Sequence, residues 1–210
     1  MTKLFILTLA EAARLNDAVT RRFPKRLARA ERMRNENDKL RCLGAGALLA
    51  FALGIGEEQL EIEPNGKPFA PQLNKQFNLS HSGEYIVLAV SDGAVGVDVQ
   101  QIGAAREKVA RRCFTEEERL WSEQEDERFF TVWTLKESVV KAVGQGLRLP
   151  LSGFSVLPLL EGKSVAVEGL TLFGQTLNLP GHALAVCSTE PLAKPIEPIF
   201  VTAEETESAF

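Results

Sequence analysis

Two carboxylates in the sequence have settings that suit phosphate chemistry. Asp98 follows a continuous apolar run, where a carboxylate is costly unless it is paired or bound to a metal ion. Gln100 lies two residues further along the same strand-like run, so it points the same way. Glu137 precedes Lys141 by four residues in a helical pattern, and the two share a helix face. Each carboxylate alone also fits an ordinary role, a turn or helix cap for Asp98 and a surface ion pair for Glu137.

The carboxylates and the lysines near them together predict a site for a divalent cation and phosphate groups. Hard oxygen ligands favour Mg²⁺, with Mn²⁺ as the alternative, and Mg²⁺ commonly uses water and substrate phosphates as its remaining ligands. Lysines such as Lys136 and Lys141 would neutralise the phosphate charge. The sequence has no cluster of His and Cys residues that would suit zinc or iron instead.

The elements that must position these residues predict an α+β fold with two similar halves. In both halves the chain runs through helices into strands, and the apolar runs 85–91 and 182–188 resemble each other. We place the division near Gly103, between residues 1–102 and residues 103–210. Sites commonly form where two such units meet, so we expect the carboxylates to lie at this junction.

Local patterns predict several individual elements. The pair Asn65-Gly66 is typical of the turn of a hairpin, here over residues 60–69. Apolar spacing predicts a helix over residues 129–143 that ends at a glycine. Beyond Pro150 we expect strands, the first of them over residues 153–160. The Pro- and Glu-rich tail after about residue 190 is expected to fray.

Composition narrows the class of protein. The chain has 210 residues, a formal net charge of −4 and 45% hydrophobic residues, which predicts a globular fold and no nucleic-acid partner. Its only early apolar run, over residues 4–10, is too short to span a membrane, so we expect no membrane partner. The three cysteines are odd in number and far apart, as is typical of free thiols in a reducing compartment. We therefore expect a cytoplasmic protein.

Four segments between about residues 26 and 188 resemble the surfactin-synthetase-activating type of 4′-phosphopantetheinyl transferase. The most specific is the last, which matches the family's W-x-x-K-E-[AS]-x-x-K signature and follows its G-[IV]-D signature by 39 residues. In chain order the segments are Gly66-Lys67-Pro68, Phe77-Asn78-Leu79-Ser80-His81-Ser82, Gly96-Val97-Asp98 and Trp133-Thr134-Leu135-Lys136-Glu137-Ser138-Val139-Val140-Lys141.

The resemblance implies a reaction and a set of site residues. The family moves the 4′-phosphopantetheine arm of coenzyme A (CoA) onto a serine of an apo acyl or peptidyl carrier protein and releases 3′,5′-ADP. The implied metal ligands are Asp98 and Glu137, and these two with Lys141 form the implied catalytic set. The residues implied to contact CoA phosphates are Lys67, Ser80, His81, Lys136 and Lys141, with Arg41 on the 3′-phosphate or adenosine side. The nucleotide would lie against the N-terminal half.

The sequence departs from the family at Gln100, where a second acid is common. The third metal ligand is then either the amide oxygen of Gln100 or a water in its place. The general base is either Glu137 or a hydroxide on the metal ion.

A basic segment after the Asp98 strand predicts where the carrier protein docks. Carrier domains are typically acidic, whereas this segment is basic within an acidic chain. The expected docking residues on the C-terminal half are Arg106, Lys108, Arg111 and Arg112, with Phe114 as an apolar contact. Because both halves lie in one chain, a monomer would suffice.

Two other functions remain open from the sequence. A non-catalytic member that binds CoA or a carrier protein is favoured by Gln100 alone. Another Mg²⁺-dependent enzyme of the phosphodiesterase type would use the same two carboxylates. The sequence does not indicate which carrier protein or pathway is served.

Overall fold

The computed structural model describes residues 1–123, 125–192 and 194–208, without the side chains of Ala18, Val19 and Leu147. It has an α+β fold, as predicted. The helices are α1 (Leu9–Ala12), α2 (Asp17–Arg21), α3 (Pro24–Glu31), α4 (Glu36–Leu53), α5 (Glu107–Cys113), α6 (Glu116–Ser122), α7 (Asp126–Val143), α8 (Leu157–Leu160) and α9 (Ala203–Ser208). The strands are β1 (Lys3–Thr8), β2 (Glu61–Ile62), β3 (Pro68–Phe69), β4 (Gln76–Ser82), β5 (Tyr85–Ser91), β6 (Val95–Gln101), β7 (Val165–Val167), β8 (Leu170–Leu179), β9 (His182–Ser188) and β10 (Pro198–Phe200).

The strands form two four-stranded sheets with the same internal pattern. The first sheet has the order β10-β1-β5-β4 and the second has the order β6-β9-β8-β7. In each sheet a first strand leads through an 18-residue helix, α4 or α7, to a hairpin whose second strand pairs antiparallel with that first strand. The two hairpins even share a register, since Gln76 faces Ser91 in one and Phe173 faces Ser188 in the other. The predicted pair of similar halves is confirmed.

The apolar core lies in three clusters, which explains why the central strands are apolar on both faces. One cluster packs α4 against the first sheet, and a second packs α7 against the second sheet. A third cluster draws on both sheets, for example through Val87 of β5 and Val186 of β9. Because β5 is buried on both faces, its sequence is a continuous apolar run and does not alternate with polar residues.

Three of the predicted local elements are present. The hairpin of β2 and β3 turns at Gly66, whose φ of 90° is open to glycine without strain. Helix α7 begins three residues before the predicted helix and ends at Gly144, which adopts the left-handed conformation with a φ of 77°. A strand also runs over the predicted apolar run at β9.

Strand pairing moves the boundary between the halves. The division near Gly103 places β6 in the N-terminal half, whereas β6 pairs with β9 along its whole length. By sheet membership the second half therefore begins at Val95, and Asp98 belongs to it. A buried apolar strand can join either of two neighbouring sheets, so its sequence alone does not decide the partner.

Two further predictions are wrong. The strand expected over residues 153–160 is replaced by a 3-10 turn at Leu151–Gly153 and by the short helix α8. The tail beyond residue 190 does not fray as a whole, because β10 pairs in parallel with β1. Beyond β10, Val201 is 3% exposed and Thr206 of α9 is fully buried. The Pro- and Glu-rich composition of the tail is compatible with a short edge strand that covers β1.

Candidate active site at the seam between the sheets

The central residues of the candidate site lie along a seam where β4, at the edge of the first sheet, runs beside β6, at the edge of the second. The edge of β6 presents backbone N–H groups that pair with no strand in the described part of the chain. Alternate side chains of β4 accept hydrogen bonds from them, because residues two apart share one face of a strand. The bonds run from Val97 N to Asn78 Oδ1 at 2.9 Å, from Val99 N to Ser80 Oγ at 3.4 Å and from Gln101 N to Ser82 Oγ at 2.9 Å.

Two lysines complete the seam by donating to carbonyl groups of the same strand. Lys67 Nζ, from the β2–β3 hairpin, donates to the carbonyls of Val95 at 3.1 Å and Lys141 at 3.0 Å. Lys141 Nζ, from α7, donates to the carbonyl of Val97 at 3.0 Å. Burial lowers the pKa of Lys67, and the charge of Glu63 opposes this shift. The backbone of β6 thus holds both ammonium groups in fixed positions.

Asp98 is the buried centre of the seam, with only 2% of its surface exposed. Its Oδ1 accepts hydrogen bonds from Lys141 Nζ at 2.7 Å and from Ser80 Oγ at 2.8 Å. Its Oδ2 accepts a hydrogen bond from Gln100 Nε2 at 3.1 Å. The buried charge is therefore balanced by an ammonium group and two neutral donors, as a buried carboxylate requires.

Glu137 is brought beside Asp98 by the close packing of β6 on α7. A Cβ atom at Gly96 would lie 2.0 Å from the carbonyl oxygen of Ser138, so only glycine permits this approach. Burial raises the pKa of Glu137, and the charge of Asp98 raises it further, whereas Lys141 opposes both effects. The two carboxylates named by the sequence are therefore electrostatically coupled neighbours.

A large cleft opens beside Glu137 and Lys141. Its volume is about 1150 Å³, and it is bounded by the β2–β3 hairpin, α5, α7 and the segment Leu149–Ser152. Among the described residues that line it, Glu137 is the one carboxylate, and there are four cations. The cations are Lys67, Lys108, Arg112 and Lys141. The cleft therefore suits a ligand that carries several negative charges.

Lys136 does not reach this cleft, so the expected contact with a CoA phosphate is wrong. Its ammonium group lies 2.8 Å from Glu118 Oε2, and both side chains are 0% exposed. It also donates to the carbonyls of Leu151 and Phe154, each at 2.7 Å. Burial lowers the pKa of Lys136, while the bond to Glu118 raises it. Successive helix residues point about 100° apart, so Lys136 turns into the core while Glu137 faces the cleft.

The basic segment is divided among different surroundings and does not form one docking face. Lys108 and Arg112, four residues apart on α5, line the large cleft. Arg111 points outward and pairs with Glu107 on the same helix. Phe114 is only 3% exposed and packs against Phe129, so the expected apolar contact with a carrier protein is wrong.

Arg41 and His81 lie near each other at the far end of β4, outside the lining of the large cleft. Arg41 donates through Nε and Nη2 to the carbonyl of Gly83 at 3.0 and 2.7 Å, and its Nη1 lies 2.6 Å from Asp38 Oδ1. Partial burial and the charge of Arg41 lower the pKa of His81. Their expected role in binding the 3′-phosphate stays a prediction.

Two structural residues of the site were missed in the sequence. Glu118 accepts hydrogen bonds from the backbone N–H groups of Thr115 at 2.7 Å and Val156 at 2.8 Å, besides pairing with Lys136. The pattern T-x-x-E at residues 115–118 is the capping-box signature and would have indicated the first of these bonds. The other missed residue is Asn78, which accepts the hydrogen bond from Val97 N. The alternation Asn-x-Ser-x-Ser along β4, which places three polar side chains on one face of the strand, would have indicated it.

The arrangement can hold a cation between oxygen ligands and bind the phosphates of a ligand in the adjoining cleft, which is the chemistry of a phosphate-transferring enzyme. Comparison with known proteins identifies the family. The family model of the 4′-phosphopantetheinyl transferase superfamily matches residues 94–187. A curated relative, 4′-phosphopantetheinyl transferase psf-1 of Bacillus pumilus, is 33% identical over 187 residues, which is 81% of this chain and 80% of the relative.

Other curated relatives carry the same family name. The 4′-phosphopantetheinyl transferase ffp of Bacillus subtilis is 35% identical over 67% of each chain. The 4′-phosphopantetheinyl transferase Sfp of Bacillus subtilis strain 168 is 29% identical over 80% of this chain and 82% of its own. The chain therefore belongs to the 4′-phosphopantetheinyl transferase superfamily, an enzyme family that uses CoA, and the family expected from the four motifs is confirmed. Within the described part of the chain, no helix combines the length and the apolar character needed to cross a membrane.

Proposed function

We propose that this protein transfers the 4′-phosphopantetheine arm of CoA to a serine hydroxyl of an apo acyl or peptidyl carrier protein, with 3′,5′-ADP as the second product. One observation carries the proposal: Glu137 and Lys141 line a cleft where cations outnumber carboxylates, and both interact with the buried Asp98. In a member of this superfamily, such a cleft suits the pyrophosphate and 3′-phosphate of CoA.

The residues present fit a hard divalent cation, Mg²⁺ or Mn²⁺. The two carboxylates offer oxygen ligands. Burial and the charge of Asp98 both raise the pKa of Glu137, and a bound cation would offset these effects. Among the described residues, no group of three or more His, Cys, Asp and Glu side chains is placed to hold a metal ion, so Asp98 and Glu137 alone would be the charged ligands. Gln100 points its amide nitrogen at Asp98 in this structure. The third ligand of the cation would therefore be a water, or the amide oxygen of Gln100 after a flip of the amide group.

The chain's own groups would then carry out distinct tasks. The cation, when bound, would polarise the phosphate oxygens. Lys141, released from Asp98, would donate to a phosphate oxygen and stabilise the charge that develops during transfer. Glu137, which lines the cleft, would accept the proton of the serine hydroxyl, directly or through a water. The serine oxygen forms a bond to the phosphorus that bears pantetheine, and the bond from that phosphorus to the oxygen of 3′,5′-ADP breaks.

The setting of the reaction is also part of the proposal. Cys42, Cys113 and Cys187 are free thiols, which suits a reducing compartment such as the cytoplasm. We expect a monomer, because both repeats that form the seam belong to one chain.

The test is mass spectrometry of apo carrier proteins incubated with CoA, Mg²⁺ and this protein. We expect a mass gain of one phosphopantetheine group and release of 3′,5′-ADP only when a carrier is present. Asp98→Asn and addition of EDTA should each abolish the gain. Release of 3′,5′-ADP without a carrier would instead indicate a phosphodiesterase. CoA binding with no mass gain on any carrier would indicate a non-catalytic binding protein.

A further inference from the structure

The β2–β3 hairpin carries Lys67 to the wall of the large cleft, but its own strand pairing is short. The strands share only two residue pairs, Glu61 with Phe69 and Ile62 with Pro68, and they form a sheet separate from the two four-stranded sheets. A two-stranded hairpin is marginally stable by itself in water. Contacts outside the hairpin must therefore fix the position of its tip, and with it the position of Lys67.

Asn65, at the tip of the hairpin, makes such a contact with the end of α7. Its Nδ2 donates to the carbonyl of Gly144, the residue at which α7 ends. The same Nδ2 donates to Glu63 Oε2 at 2.9 Å, and Oδ1 accepts from the backbone N–H of Lys67 at 2.8 Å. Both N–H groups and the oxygen of the amide are thus used, although the residue is exposed. Asn65 therefore links the backbone of Lys67 to the end of α7.

The ammonium group of Lys67 is also fixed, and it keeps one donor for a ligand. Two of its three N–H groups donate to the carbonyls of Val95 and Lys141. The two carbonyls set the direction of the third N–H, which remains, among the described contacts, for an anion in the cleft. Glu63, which Asn65 holds, is the charge that raises the pKa of Lys67 against the effect of burial. A shift of the hairpin would therefore disturb both the direction and the surroundings of this ammonium group.

We propose that Asn65 is a positioning residue for Lys67: by holding the hairpin tip on Gly144, it keeps the Lys67 ammonium group where a phosphate group of CoA binds. The inference rests on the proposed function. Asn65 acts through Lys67 and not by contact with the phosphate. It follows that Asn65 contributes to CoA affinity only while Lys67 is present.

A double-mutant cycle tests this dependence. The Kd for CoA with Mg²⁺ is measured by calorimetry for the wild type, Asn65→Ala, Lys67→Ala and the double variant. We expect Lys67→Ala to raise the Kd about ten- to hundredfold and Asn65→Ala to raise it about three- to tenfold. In the Lys67→Ala background, Asn65→Ala should change the Kd by less than about twofold. The matched control is Asn74→Ala, which removes an exposed asparagine between β3 and β4 and should leave the Kd within about twofold of the wild type.

Two outcomes of the cycle would overturn the proposal. An equal increase in Kd on Asn65→Ala in both backgrounds would show that Asn65 acts independently of Lys67, for example by touching the ligand itself. An unchanged Kd for Asn65→Ala alone would show that the contact with Gly144 does not matter for the binding of CoA.

Hydrogen exchange without CoA measures the position of the hairpin directly. The amides of Glu63 and Gly66 donate within the hairpin, to the carbonyls of Lys67 and Glu63. Loss of the Asn65 side chain should let the hairpin open more often, so both amides should exchange faster than in the wild type and in Asn74→Ala. Unchanged exchange would mean that the hairpin holds its place without Asn65, against the proposal. Failure of the proposed function would be seen separately, as a wild type that modifies no carrier protein, because the cycle measures CoA binding alone.

Discussion

Lys136 and Glu137 are neighbours in sequence but belong to opposite sides of α7. Glu137 lines the cleft, whereas Lys136 is fully buried against Glu118 and the carbonyls of Leu151 and Phe154. Leu151 itself lines the cleft. We interpret Lys136 as a structural residue that holds this wall in place.

Replacement of one partner of this buried ion pair should be far more harmful than replacement of both. Lys136→Met leaves the Glu118 carboxylate buried without its cation, which should lower the free energy of unfolding by about 3–5 kcal/mol. The double variant Lys136→Met/Glu118→Gln removes both charges and should recover most of that loss. Urea unfolding, followed by circular dichroism, measures the difference.

CoA affinity serves as the control for this prediction. Because Lys136 is 0% exposed, the folded double variant should bind CoA as tightly as the wild type. If its stability recovers but its CoA binding is lost, Lys136 contacts the substrate and the structural interpretation is wrong.

Glu137 should make stability depend on pH in a direction set by its raised pKa. A carboxyl group whose pKa is higher in the folded state stabilises the fold at low pH, below its unfolded pKa of about 4.3. That stabilisation is lost as the pH rises through the folded pKa. In EDTA, Glu137→Gln should therefore become more stable relative to the wild type as the pH increases from 4 to 8.

Mg²⁺ supplies the complementary measurement. A cation that binds the folded protein stabilises it by mass action, so Mg²⁺ should raise the Tm of the wild type. The same Mg²⁺ concentration should raise the Tm of Glu137→Gln much less. A stability difference that does not change with pH would mean that Glu137 is not destabilised by burial and by Asp98.

At the scale of secondary-structure elements, the seam supplies hydrogen-bond partners for the edge of a sheet. An edge strand leaves N–H and C=O groups unpaired. The N–H groups of β6 find side-chain oxygens on β4, and two of its C=O groups accept from Lys67 and Lys141. Residues that join the sheets are thus also residues of the candidate site, so packing of the seam and geometry of the candidate site are coupled.

Asn78→Ala tests the contribution of one such bond. The variant leaves the buried N–H of Val97 without its acceptor, which should cost about 1–3 kcal/mol in the free energy of unfolding. Gln76→Ala is the matched control, because Gln76 begins the same strand but is exposed, and a change within about 0.5 kcal/mol is expected. Similar losses for the two variants in chemical unfolding would argue against the seam as a source of stability.

At the scale of the whole molecule, the two repeats differ in how their first strands are covered. The edge of β6 is covered by side chains of β4, whereas β1, the corresponding strand of the first repeat, pairs with β10 from the C-terminal tail. Gln175 holds the same place in the second hairpin as Asn78 in the first, by the shared register. Its side chain bonds both to the carbonyl and to the N–H of Ile196, just before β10. The tail thus covers the edge of β1 in the first repeat, as side chains of β4 cover the edge of β6 in the second repeat.

Removal of the tail should therefore destabilise the first sheet, even though the tail lies away from the cleft. A chain that ends at Glu190 loses β10 and the buried side chains of Ile196 and Val201. Burial of two such side chains contributes about 3–6 kcal/mol, so a large decrease in Tm is expected. A chain that ends at Thr202 keeps these contacts and loses only α9, so its Tm should decrease much less. Equal Tm values for the two shortened chains, in a thermal melt, would contradict the prediction.

The sequence by itself determined the family, the α+β class, the repeat and the two coupled carboxylates. It could do so because these features depend on local patterns: Asp98 follows an apolar strand, and Glu137 shares a helix face with Lys141. The turn at Gly66 and the end of α7 at Gly144 are likewise local, since a positive φ favours glycine wherever it occurs.

Only the tertiary structure decided which sheet β6 joins, what Lys136 contacts and how the basic segment is divided. Each of these depends on groups far away in the chain: β9 for the strand, Glu118 and Leu151 for Lys136, and the walls of the large cleft for Lys108 and Arg112. The sequence shows which side chains are charged. Whether that charge meets a ligand or a buried partner depends on which distant elements pack against it, because burial and pairing arise only when the chain has folded.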